Sequence, residues 1–208
     1  MPELHYDFYL KARKGNIFER IYHPLNVKLL TKHITNKGKI LDLGCGSGLF
    51  TIPLAKKGCN VVACDITEES LKQLKRYAKK EDVEDKITIV HGDATKLKFR
   101  NNEFDKITMF FILEHLNKNE RIKALKEVRR ILKPGGLLYI AVPWFYNPVW
   151  HLLFLRKIFS GRKDLDEEPV HKPFKPSQLN ALVSGYGFKK EYLKVYNLID
   201  VLGIFRKI

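Results

Sequence analysis

An apolar run, Lys39 to Leu43, drops directly into glycines at 44, 46 and 48 and then into a stretch with helical spacing, so that residues 41–48 read L-D-L-G-C-G-S-G. Few patterns narrow the choice of fold so far. The apolar run suits a buried strand, and glycines at those positions let the backbone turn sharply and lie against a ligand, where a Cβ would clash or force a strained φ. The implied unit is strand, turn and helix, with a loop shaped for a nucleotide-like molecule. The same turn also serves as a tight connection that holds no ligand, so its neighbours decide between the two readings.

Two further runs favour the ligand. Asn60 to Asp65 (N-V-V-A-C-D) reads as a second buried strand ending in a carboxylate, at the distance where such folds grip a ribose diol. Ile87 to Asp93 (I-T-I-V-H-G-D) reads as a third, again ending in Asp. A dinucleotide fingerprint would need glycine or alanine where this chain has Leu49, which speaks against NAD.

Helical segments alternate with these strands. Leu49 to Lys57 forms a helix that Gly58 stops, and Thr67 caps another with Leu71, Leu74 and Ala78 on one face. Phe104 to Phe111 is a fourth strand, and Glu120 to Leu132 is a helix ended by Pro134-Gly135-Gly136. Leu137 to Val142 is a fifth strand, almost wholly apolar, as expected when helices cover both faces of a parallel sheet. Pro176 opens a last helix with Leu179, Leu182 and Val183, which Gly185 and Gly187 release into Phe188 to Tyr196 and a closing strand, Leu202 to Lys207. Ahead of all this, residues 1–37 read as one or two helices that cap the pocket. The expected fold is α/β, a doubly wound sheet with ligands at the carboxyl ends of its strands.

A chain of 208 residues suits one domain, taken as 1–208. Three cysteines at 45, 59 and 64 lie in or beside core strands without metal-site spacing, which fits small buried side chains in a reducing compartment. The start lacks a basic region followed by an apolar run, and no apolar stretch approaches the roughly 18 residues of a spanning helix, so the expected location is cytoplasmic. A net charge of +15 raises the prospect of an anionic partner, nucleic acid or a membrane surface, against a plain lysine-rich solvated surface such as Lys72, Lys75, Arg76, Lys79 and Lys80 at one helix end.

Taken in order, L-D-L-G-C-G-S-G, A-C-D-I-T, H-G-D-A, F-D-K-I-T-M-F-F-I-L-E-H-L and L-K-P-G-G-L-L-Y-I-A-V-P resemble the class I S-adenosylmethionine-dependent methyltransferases, especially the methyltransferase type 11 group of ubiquinone and menaquinone biosynthesis. The resemblance implies a Rossmann-like sheet of seven strands, the last antiparallel, with helices on both faces, and S-adenosyl-L-methionine as cofactor. Gly44, Gly46 and Gly48 would let backbone amides approach its methionyl and ribose portions, with Asp42 as a second contact. Asp65 would accept both ribose hydroxyls. Ile66 would pack on the adenine, Asp93 would accept its amino group, and Ala94 would offer its backbone; Asp93 also reads as a turn residue after Gly92.

Methyl transfer from a sulfonium needs mainly alignment and, for a protonated acceptor, a base. His115, after the fourth strand, is the leading base, with a satisfied structural histidine as the alternative; His171 is a second candidate on a loop where histidines are often only solvated. Some relatives bind a divalent metal through E-x-x-E-H, but Phe111 stands where the first carboxylate belongs, which implies no required metal. Residues 144–175 read as a lid-like insertion: from Trp144 to Phe159 almost no polar face remains, which suits a lid over an apolar acceptor, a membrane-surface contact, a core helix or a homodimer interface. The expected activity is methylation of a small or lipid-like acceptor. The alternatives are an RNA methyltransferase and a cofactor-binding partner subunit without catalysis.

Overall fold

The computed structural model describes residues 7–145, 173–196 and 198–208. Two helices come first, α1 (Phe8–Lys14) and α2 (Ile17–Thr31). There follow β1 (Lys39–Leu43), α3 (Thr51–Lys56), β2 (Asn60–Asp65), α4 (Glu68–Lys80), β3 (Ile87–His91), β4 (Phe104–Phe110), α5 (Lys118–Ile131) and β5 (Leu132–Pro143). The described chain closes with α6 (Pro176–Ser184), β6 (Phe188–Tyr196) and β7 (Asp200–Lys207).

The strands form one seven-stranded sheet in the order β3-β2-β1-β4-β5-β7-β6. Neighbours from β3 to β5 are parallel, and β7 runs antiparallel to both β5 and β6. The order reverses between β1 and β4, and in open α/β sheets that reversal opens a crevice beyond the carboxyl ends of the strands.

Period-two alternation divides the core between the faces. Leu138, Ile140 and Val142 of β5 join Ala124, Leu125 and Val128 of α5 and Leu179 and Val183 of α6. The intervening Tyr139 and Ala141 face the other way, with Leu30 of α2 and Leu54 of α3. Beside them, Ala63 of β2 packs with Leu71, Leu74 and Ala78 of α4. Burying one such leucine contributes about 1.5–3 kcal/mol, so each face holds its helices firmly.

Three local expectations are corrected. Thr67 stands at the N-cap of α4 in extended conformation, but its side chain makes no capping bond; its amide donates to Asp65 Oδ1 at 2.9 Å instead. Pro134-Gly135-Gly136 does not stop α5, because the chain turns extended at Leu132 and the three residues lie inside β5. They form an irregularity against β4, whose register moves from Phe104↔Leu132 to Lys106↔Leu137. The closing strand starts at Asp200, two residues before the expected Leu202.

Candidate functional site

The glycine loop leaves β1 at its carboxyl end. Gly44 and Cys45 donate their amides to the Cys64 carbonyl at 2.8 and 3.1 Å, tying the loop to the end of β2. Gly44, Gly46 and Gly48 all take positive φ, and their surroundings differ in a telling way. A Cβ on Gly44 would meet Ile112 Cδ1 at 3.0 Å, and one on Gly48 would meet Leu74 Cδ1 at 2.5 Å. Around Gly46 nothing lies within 4 Å. Two glycines thus serve packing, and the middle one faces open space.

Asp65, at the end of β2, accepts from the Gly46 amide at Oδ2 (2.8 Å) and from the Thr67 amide at Oδ1. Both carboxylate oxygens are fixed by backbone and each keeps acceptor capacity. Ile66 beside it is 64 % exposed, an apolar side chain left in solvent next to a charged one. The Ile66 carbonyl is hydrogen-bonded to His91 Nε2 at 2.8 Å and Gly92 donates its amide to the Asp65 carbonyl, so the ends of β2 and β3 are joined. Asp93 Oδ1 accepts from the Thr95 amide at 2.7 Å, the Asx-turn geometry, while Ala94 is buried. Asp65, Ile66, Asp93 and Ala94 therefore share one rim with Gly46.

Asp42 lies beneath this surface rather than on it. It is buried, and its oxygens accept from Thr51 Oγ1 at 2.6 Å and Thr108 Oγ1 at 2.7 Å, linking β1 to the first residue of α3 and to β4. Burial raises its pKa, while the two threonine hydroxyls oppose that rise. Its position makes it a brace for the loop.

Beyond β4 the chain turns at Phe111, whose φ of 58° is rare for an aromatic residue. Its amide bonds to the Ala141 carbonyl at 2.9 Å and its ring stacks on Phe50 at 6.1 Å. In the turn that follows, Glu114 and His115 part company. His115 is exposed, whereas Glu114 is 3 % exposed, and burial, with the charge of Asp200 adding to it, pushes its carboxyl up to about 8. Among the described residues no group of three or more His, Cys, Asp and Glu is arranged to hold a metal ion. His171 lies outside the described residues, as does most of the apolar segment. Of the latter, Trp144 donates its amide to the Ile199 carbonyl at 2.8 Å, and Phe145 is 41 % exposed with Lys175 Nζ over its ring.

Two features escape sequence reasoning. Asp7, at the N-cap of α1, accepts from Ser47 Oγ of the glycine loop at 2.9 Å and from Tyr77 OH of α4 at 2.6 Å, which clasps α1 over the loop. Asp200, at the start of β7, accepts from Tyr22 OH at 2.7 Å and Asn26 Nδ2 at 2.8 Å, both on α2. The only local signal was Asp7 just ahead of a helical pattern; nothing near Asp200 in the sequence announces its partners.

A glycine loop at the switch point of this seven-stranded sheet, a strand-end carboxylate beside it and an antiparallel β7 define the Rossmann-like methyltransferase class. More narrowly, residues 40–136 match the family described as methyltransferase domain. It is 42 % identical over 119 residues to a demethylmenaquinone methyltransferase of Paenarthrobacter aurescens, covering 56 % of this chain and 43 % of the relative. It is 33 % identical over 122 residues to a ubiquinone biosynthesis O-methyltransferase of Coxiella burnetii, covering 58 % and 50 %. The chain spans about half the length of the curated relatives it matches. Among solved structures, a SAM-dependent methyltransferase of Methanosarcina mazei superposes with a TM-score of 0.71 at 25 % identity, covering 86 % of this chain and 97 % of that one.

Proposed function

We propose that the chain is an S-adenosylmethionine-dependent methyltransferase whose acceptor is a small, ring-bearing molecule of the quinone-precursor type. The observation that carries this reading is the open side of Gly46, held by its amide to Asp65 and flanked by the exposed Ile66. Those residues fit the cofactor: Asp65 has acceptor capacity for a ribose diol, Ile66 offers an apolar face for adenine, and the glycine backbone admits the methionyl portion. When bound, S-adenosylmethionine supplies a methyl carbon already activated by positive sulfur. The remaining work falls to the chain, which must orient an acceptor at the carboxyl edge, exclude water and receive a proton.

The relatives named for menaquinone and ubiquinone biosynthesis support a ring-bearing acceptor. A cytoplasmic location accords with three free, buried cysteines; among the described residues no helix is long and apolar enough to cross a membrane. RNA is a second acceptor class, favoured by a groove of about 630 Å³ between α1, α2 and α3 that Arg13, Lys28, Lys32, Lys56 and Lys57 edge. Arg13 and Lys56 there are already paired with Glu81, which weakens the claim of the groove on phosphate. Transfer of labelled methyl from S-adenosylmethionine into fractionated extract tests the reading: label in the small-molecule or lipid fraction is expected. Label confined to RNA would replace the acceptor class, and none in any fraction would favour a partner subunit without catalysis.

A further inference from the structure

Large apolar side chains are mostly buried in this chain, but α2 leaves three of them in solvent. Ile17 is 71 % exposed, Ile21 61 % and Leu25 41 %. Spaced four residues apart, they fall on one side of the helix and span about 12 Å of its length. The other described side chains that α2 exposes, Arg20, Pro24 and Lys28, fall on the same side, because steps of three and four residues return to one face. The opposite side does the packing: Leu30 lies in the core, and Tyr22 OH and Asn26 Nδ2 donate to Asp200 at 2.7 and 2.8 Å. Asp200 pairs with Pro143, the last residue of β5, so the inward side of α2 is fastened to the carboxyl edge of the sheet.

The charges on the exposed side have one sign. Among the described residues neither Arg20 nor Lys28 has an acidic partner. Glu19 is the one acidic residue in the sequence of α2, and it is occupied by the capping box with Asn16 and an ion pair with Lys11 at 3.4 Å. A row of aliphatic side chains flanked by unpaired cations is the composition of a helix that lies in the headgroup layer of a membrane. Two other occupants fit less well. A stable protein partner needs about 20–30 residues a side, and such interfaces favour aromatic anchors and avoid lysine. A nucleic acid would use the cations but stacks its bases on aromatic rings, not on isoleucine. An anionic bilayer uses both components, since acyl chains cover the aliphatic row while lipid phosphates face Arg20 and Lys28.

We propose that α2 is a membrane-docking helix that seats Ile17, Ile21 and Leu25 in the interfacial layer of an anionic lipid bilayer, with Arg20 and Lys28 at the headgroup phosphates. The surface is read from the helix itself and goes beyond the methyltransferase reading. Its consequence joins the two: because the inward side of α2 is held to Asp200, docking sets the carboxyl edge of the sheet beside the lipid, where an apolar acceptor would be dissolved. Three aliphatic side chains and two cations give an attachment that is reversible and weakens as salt rises.

Flotation with vesicles of phosphatidylglycerol and phosphatidylcholine in equal parts, compared with phosphatidylcholine alone, tests the surface. The chain is expected to float with the mixed vesicles, to float less with the neutral ones and to be released by high salt. Arg20→Glu combined with Lys28→Glu should weaken binding to mixed vesicles roughly twentyfold or more, since each cation near an anionic surface contributes about fivefold. Ile17→Ser combined with Ile21→Ser should weaken it about tenfold, with Tm and S-adenosylhomocysteine affinity unchanged because both side chains stand in solvent. Bimane attached to Ile21→Cys locates the contact, the native cysteines being buried: its emission should match that in water without vesicles and shift to the blue with them. Bimane already shielded in the vesicle-free chain would mean that another segment or a second copy covers the face, and would overturn the proposal. So would flotation that leaves the bimane unshifted, or no flotation at all. A wild-type chain that binds S-adenosylhomocysteine but not vesicles loses only the docking surface; one that binds vesicles but not S-adenosylhomocysteine keeps the surface and loses the methyltransferase reading.

Discussion

A carboxylate that already accepts two backbone amides still has lone pairs to spare, and Asp65 is in that position between Gly46 and Thr67. Hydrogen bonds to a charged group contribute about 1.5–3 kcal/mol, so Asp65→Ala should weaken S-adenosylhomocysteine binding roughly ten- to hundredfold, as read by calorimetry. Gly48→Ala should act on stability instead: its Cβ would press on Leu74 Cδ1 at a φ of 98°, costing about 1–3 kcal/mol and lowering Tm. The buried carboxyls set a pH dependence with a definite sign. Burial raises Glu114 from its ordinary 4.5 to about 8 and Asp200 from 3.8 to about 6. The folded state therefore holds these protons more tightly than the unfolded chain. Their stabilising contribution is complete below the unfolded values and is lost as pH rises through 6 and then 8, a change on the order of a few kcal/mol. Denaturant titrations across that window should show stability falling, and Glu114→Gln should flatten the upper part. The residues of the proposed cofactor rim were legible because they stand at or just beyond the carboxyl ends of β1, β2 and β3 in sequence. Asp200 was not, since its partner Asn26 lies 174 positions away and only the folded sheet brings them together.

Most elements declare themselves through period and punctuation. Residues 39–43 and 60–65 alternate no polar side chains into their middles until the terminal carboxylate region, and both strands fall where the sequence puts them. Boundaries were harder where one residue type serves two purposes. Pro134-Gly135-Gly136 has the composition of a helix stop, but Leu132 had already gone extended and paired with Phe104, so the glycines accommodate an irregular strand. Asn117 is the better marker for α5: its side chain accepts from the Asn119 and Glu120 amides, and Glu120 returns a carboxylate to the Asn117 amide. Removing that capping box with Asn117→Ala should cost about 0.5–2 kcal/mol in chemical denaturation.

At the scale of the molecule, the order β3-β2-β1-β4-β5-β7-β6 puts the reversal between β1 and β4, and the residues proposed for cofactor binding lie at the carboxyl edge beside it. At the ends of β1 and β2 stand Gly46, Asp65 and Ile66, and the turn after β4 carries Glu114 and His115. Topology of this kind was legible from five ordered motifs, while the crossing of α2 over β7 was not, because no periodicity in α2 says which strand it will meet. The net charge of +15 likewise marks a surface without naming a partner. The claim on which the rest depends is that the Gly46 and Asp65 rim holds an adenosyl cofactor and rejects a dinucleotide. Calorimetry on the wild-type chain with S-adenosylhomocysteine and, separately, with NAD measures this most directly. Micromolar or tighter binding of the first and none of the second is the result expected; no binding of S-adenosylhomocysteine, or binding of NAD with equal strength, would contradict it.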